Sequence, residues 1–244
     1  MAHLISQQRT RTRSKGSAFG FVKIASVVAL VAIISACAKK APPPAPPPVV
    51  VIPPQPRPPQ GAPENMTIPE SAEDGTRRTV NSELSTAQAV WNLRSAYNVA
   101  ALNCTAPQYA PVLAGYKQFL KVHDKTFDKA NASLTRDFQA NFGKNGTRQR
   151  ETYQTQVYNY FAIPPVTSAF CDAAMELATE AAAVPAGQLE GYAPQGLAKI
   201  EAPFMAFFTA YEQYKRDLAA WQARYGGIVV VAPTQANGAA PSAR

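Results

Sequence analysis

From Ser82 to Tyr225, apolar residues recur every three or four positions, the repeat of one face of an α-helix. The first such segment, about 83–103, carries Leu84, Ala87, Trp91, Leu93, Tyr97 and Ala101, and its stripe runs on to Cys104. A second stripe runs through Val112, Tyr116, Phe119, Leu120, His123, Phe127, Ala130, Leu134 and Phe138, which predicts one long helix over about 109–142. Pro107 and Pro111 suit its first turn, and Gly143 with Asn145-Gly146 suits its end. A third helix is predicted over about 148–162, with Tyr153, Val157, Tyr160 and Phe161 inward and Pro164-Pro165 as its stop. The fourth, about 167–183, places Phe170, Cys171, Ala174, Leu177, Ala178 and Ala181 on one face. A loop over Gly191–Gly196 then leads to a fifth helix over about 197–225, with Ile200, Phe204, Phe207, Tyr211, Tyr214, Leu218, Trp221 and Tyr225 inward. Almost nothing in 82–225 alternates with period two. The expected fold is therefore all-α, a four- or five-helix antiparallel bundle joined by short loops.

The residues outside that body are organised differently. Prolines crowd residues 41–63, where each fixes φ and lacks an amide donor, so an extended polyproline II spacer is expected. Residues 64–81 are polar and extend the expected disordered linker to 37–81. The tail 226–244 is expected to be disordered as well, although Val49–Ile52 and Ile228–Val231 could pair as strands. Nearer the start, Arg9, Arg11, Arg13, Lys15 and Lys23 flank an apolar run from Ile24 to Ala36. That run is too short to cross a ~30 Å hydrocarbon core, and it fits a cleaved secretory signal over 1–36.

The run ends Ile34-Ser35-Ala36-Cys37, which resembles the lipobox of bacterial lipoproteins. The resemblance covers residues 1–40. It implies a mature protein beginning at Cys37, with acyl chains such as palmitate holding it to a membrane; two or more chains anchor a protein stably. Ala38, in place of the aspartate that retains such proteins at the inner membrane, implies the outer membrane, with the body in the periplasm.

Charge and cysteine usage change with that leader. Without residues 1–36 the chain keeps 19 basic and 16 acidic residues, so the net charge falls from +8 to +3. No compact basic run remains, which argues against nucleic acid. With Cys37 lipidated, Cys104 and Cys171 form an even pair in an oxidising compartment. A disulfide between them is the favoured reading; the rival is two buried thiols packing as small hydrophobes.

Candidate chemistry is sparse. The mature chain has one histidine, His123, which falls on the aromatic stripe, and its spacing to Asp124 and Asp128 does not make a shared-face ligand set. No metal, nucleotide or other cofactor motif occurs. A glycosidase would need two acids across a cleft, and the best placed are Glu176 and Glu180, one helical turn apart; a solvated helix face explains them equally well. Tyr158, expected to point away from the core beside Arg148 and Arg150, is the candidate partner surface. These features point to a lipid-anchored, non-enzymatic helical domain that binds or spaces an envelope protein or peptidoglycan. The alternatives are a small-ligand module for lipid or a cell-wall fragment, and a carboxylate hydrolase of the cell wall.

Overall fold

A computed structural model describes residues 51–227. The leader, Cys37, residues 38–50 and the Ile228–Val231 run lie outside the described residues. Ser85 starts the first helix: its hydroxyl accepts from Gln88 N, and the Gln88 side chain accepts from Ser85 N, which satisfies two free donors of the first turn. The helices are α1 (Thr86–Asn103), α2 (Ala110–Val122), α3 (Asp124–Phe142), α4 (Gly146–Phe161), α5 (Thr167–Ala182) and α6 (Leu189–Tyr225). Helices α2 and α3 meet at His123 with no loop between them, and the six helices make an all-α bundle. No strand occurs among the described residues, where the β-type pairing is a single bridge between Ser71 and Arg77.

Two expected helices differ from those observed. The predicted 109–142 helix breaks at His123, whose backbone leaves helical geometry (φ −111°, ψ 20°). The continuous apolar stripe concealed the break, because α2 and α3 both turn that stripe inward. The expected loop over Gly191–Gly196 is the first part of α6, which runs through both Pro194 and Pro203. Gly196 is there for packing: a Cβ on it would lie 2.7 Å from Tyr192 Cε1 and 3.2 Å from Leu93 Cδ2. A glycine that reads as a turn in sequence here lets two helices approach closely.

Helix α1 occupies the centre and packs against all five other helices. A helix surrounded this way must be small or apolar on most of its surface, and Ala89, Val90, Leu93, Ala96, Tyr97, Val99, Ala100 and Ala101 are all buried. Around it, Phe161, Phe170 and Phe204 meet at ring separations of 5.2–5.9 Å, with Tyr160 stacked on Phe204 at 5.3 Å. Cys104, at the end of α1, is disulfide-bonded to Cys171 of α5, with Cα atoms 5.5 Å apart and both residues buried. The bridge spans 67 residues of sequence, so by the chain-entropy account it limits the unfolded ensemble by about 4 kcal/mol.

The proline-rich segment continues into the fold. Residues 51–81, expected to be part of a disordered linker, instead lie against α6 as a strap. Seven of these 31 residues are proline, which carries no amide donor, so carbonyls along the strap need donors from elsewhere. Helix α6 supplies them. Trp221 Nε1 donates to Pro53 O at 2.8 Å. The Tyr211 hydroxyl lies 2.7 Å from Pro63 O and 2.8 Å from Glu64 O, and accepts from Met66 N at 2.9 Å. Farther on, Arg77 is buried, donates to Pro69 O, and pairs with Glu212 at 2.6 Å. The strap ends at α1, where the fully buried Asn92 donates to Val80 O (3.3 Å) and Asn81 Oδ1 (2.9 Å).

Two outcomes are expected. Replacing Cys104 and Cys171 by serine should lower unfolding stability by about 4 kcal/mol, read by urea denaturation beside the oxidised parent. Tyr211→Phe should lower it by about 1–3 kcal/mol, since Met66 N and two carbonyls lose their partner, and should raise proteolysis within residues 62–78.

Candidate functional site

Helix α1 is not covered on one stripe, where Trp91, Arg94 and Asn98 are half-buried at helical spacing. Where that stripe meets α3 and α4, both packed on α1, the three helices leave a half-buried groove. The facing stripes are also half-buried: Asn131 and Thr135 on α3, and Arg150, Gln154 and Tyr158 on α4. The Trp91 indole organises the site. The guanidinium of Arg94 lies 5.0 Å from its ring centroid and 5.8 Å from that of Phe127, and the guanidinium of Arg150 lies 5.7 Å from Trp91. Both are cation–π distances. Arg150 also donates to Thr135 Oγ1 at 2.6 Å and to Asn131 Oδ1. With its amide oriented to satisfy both donors, the Gln154 oxygen accepts from Trp91 Nε1 and Arg150 Nη2, each at 3.3 Å.

Among the described residues, neither Arg94 nor Arg150 makes an ion pair with a carboxylate. The Arg94 side chain also makes no hydrogen bond to protein among those residues. Beside Arg150, a slot of about 160 Å³ opens between α3 and α4, lined by Thr135, Gln139, Thr147, Gln154 and the carboxylate of Glu151. A guanidinium stays charged at any physiological pH and offers a planar set of donors. The two guanidiniums can hold an oxyanion.

The expected partner surface is rearranged. Arg150 and Tyr158 share the groove-facing stripe of α4, but Arg150 turns inward onto Trp91, and Tyr158 is half-buried and packed against the core. Arg148 is exposed and lies off that stripe. Sequence reading missed Trp91 and Arg94 as site residues, although their i, i+3 spacing places them on one face of a helix otherwise made of small and apolar residues.

The acidic candidates have other roles. Glu176 is exposed. Glu180 is held by Lys199 and by Tyr192 (3.2 Å), and the bond from Lys199 keeps its carboxyl below the usual range, opposite to the shift a general acid needs. Glu201 accepts from Tyr160 and from Thr79, each at 2.7 Å, and so ties the strap to the bundle. The strap and α6 border an open cavity of about 770 Å³ lined by charges of both signs, including Glu64, Glu70, Lys215 and Arg216.

His123 sits at the α2–α3 break, 1% exposed, its ring 5.1 Å from that of Phe119 and 6.3 Å from that of Phe127. No protein group among the described residues bonds either ring nitrogen. Burial lowers its pKa, because the apolar surroundings disfavour the charged ring.

Comparison with protein-family models, curated proteins and solved structures finds no match for the chain.

The histidine generates a pH prediction. Its folded pKa lies below its unfolded value of about 6.5, so the unfolded chain takes up its proton first as pH falls, and stability should drop from about pH 6.5 downward. His123→Leu should remove that part of the decline, read as the wild-type-minus-variant difference in urea midpoint between pH 7.5 and pH 5.

Proposed function

We propose that this is a lipid-anchored cell-envelope protein whose helical domain binds or spaces another envelope component, an envelope protein or peptidoglycan, without catalysing a reaction on it. The anchor rests on the lipobox-like run ending at Cys37. The outer membrane as its location rests on Ala38. The observation that carries the binding role is the pair of guanidiniums, Arg94 and Arg150, held on one half-buried indole with no carboxylate partner among the described residues. Aromatic and arginine side chains in a partly desolvated groove are the composition that dominates recognition surfaces. Fixed guanidinium cations favour holding a partner's acidic group over transferring protons. The carboxylates that approach the core are occupied instead by the strap and by Lys199.

The test uses the full chain in intact cells, with a photocrosslinking amino acid in place of Tyr158 or, as a control on another face, Gln213. Position 158 should give a reproducible envelope adduct, and Arg94→Ala should reduce it at least tenfold, on the scale of a lost charged hydrogen bond of about 1.5–3 kcal/mol. The same adducts from both positions, or no response to Arg94→Ala, would contradict the groove as the binding face.

A further inference from the structure

Helix α6 extends beyond the bundle. Its last buried residue is Tyr214, yet it continues to Tyr225, a further ~16 Å at 1.5 Å per residue. Over this length Leu218, Trp221 and Tyr225 form a half-buried stripe at i, i+3 and i+7. Leu218 still packs against the core, while Trp221 Nε1 donates to Pro53 O at the start of the strap, beyond which Val51 is 82% exposed.

Cations outnumber acids at this tip: Lys215 and Arg224 are exposed on the helix and Arg57 on the strap, with Asp217 between 215 and 224, while Arg216 pairs with Glu212 at 3.6 Å. The Arg224 guanidinium lies 5.3 Å from the Tyr225 ring, so cation and aromatic are presented together. Tryptophan and tyrosine beside lysine and arginine is the composition that settles at the headgroup level of a bilayer.

Chain connectivity says which bilayer. The strap runs toward this tip, and residues 38–50 are the thirteen that separate Val51 from Cys37. At no more than ~3.6 Å per residue they reach about 47 Å at most. A longer spacer running to residue 63 is not available, because residues 51–63 belong to the strap. An anchor at Cys37 therefore tethers the domain by the end that carries Trp221, Tyr225 and Arg224.

We propose that this tip is a membrane-docking surface that seats on the anionic phospholipid headgroups of the bilayer holding the anchor. The proposal rests on the lipid-anchor reading. It turns a passive tether into a fixed orientation, with α6 rising from the membrane and the α1 groove held off it on the body of the bundle.

The experiment uses the lipidated protein purified from cells, with Trp91→Phe so that Trp221 is the sole indole, reconstituted in vesicles containing 30% phosphatidylglycerol with brominated acyl chains. Incorporation of labelled palmitate that disappears in Cys37→Ser is read in parallel. The expected result is Trp221 fluorescence at least halved by the brominated lipid, with little quenching in purely zwitterionic vesicles. Removing two cations in Arg57→Ala/Arg224→Ala should weaken docking about 30-fold, at roughly 1 kcal/mol for each cation near an anionic surface. Labelled protein whose Trp221 is unaffected by bromine would overturn the docking surface and leave the anchor standing. Absence of label from the wild type would overturn both.

Discussion

Everything in this bundle depends on burying α1. Ten of its eighteen residues are buried, so it is stable only when surrounded, and five other helices pack against it. Burial on that scale carries a requirement: polar groups taken inside must find partners. Asn92 is fully buried and finds three. Its amide donates to Val80 O and Asn81 Oδ1 of the strap, and its carbonyl oxygen accepts from the Tyr153 hydroxyl at 2.7 Å. Burial has pushed the Tyr153 phenol up to about 12, so at any physiological pH it is a donor. One central amide thus fixes the strap, α1 and α4 relative to each other.

The strap extends the same logic to the outside of α6. A proline-rich segment cannot build a sheet, because it has acceptors without the matching donors. It can lie on a helix that offers side-chain partners along one face: Trp221 and Tyr211 donate to it, and Glu212 accepts from the strap's own Arg77, at successive levels of α6. The Arg77–Glu212 pair holds the Glu212 carboxyl below its usual range, so this grip is complete above the ordinary carboxylate pKa and weakens as pH falls through the lowered value.

Most of the fold was legible in sequence for one reason: each helix keeps a continuous inward stripe, and periodicity reports such stripes directly. The errors lie where other terms decide. The break at His123 leaves no periodic trace because both halves face the core. Gly196 and Pro194 read as loop residues, yet Gly196 is required by the approach of α1 and α6. The strap was read as a spacer because proline content reports stiffness and says nothing of a helix 150 residues away that supplies the donors. The disulfide could be read from cysteine count and compartment. The groove could not, because Trp91 and Arg150 come together only when α1 packs between α3 and α4.

The account's central claim is that the folded unit begins at the strap, near residue 51, and not at the helices. Deleting residues 38–50 and, separately, residues 51–81 from the anchored chain and comparing thermal midpoints tests this most directly. The account predicts an unchanged midpoint for the first deletion and a large drop for the second, which strips α6 of its partners and leaves Asn92 without two of its own. Equal midpoints for both would show that the strap is only a linker resting on a bundle that is complete without it.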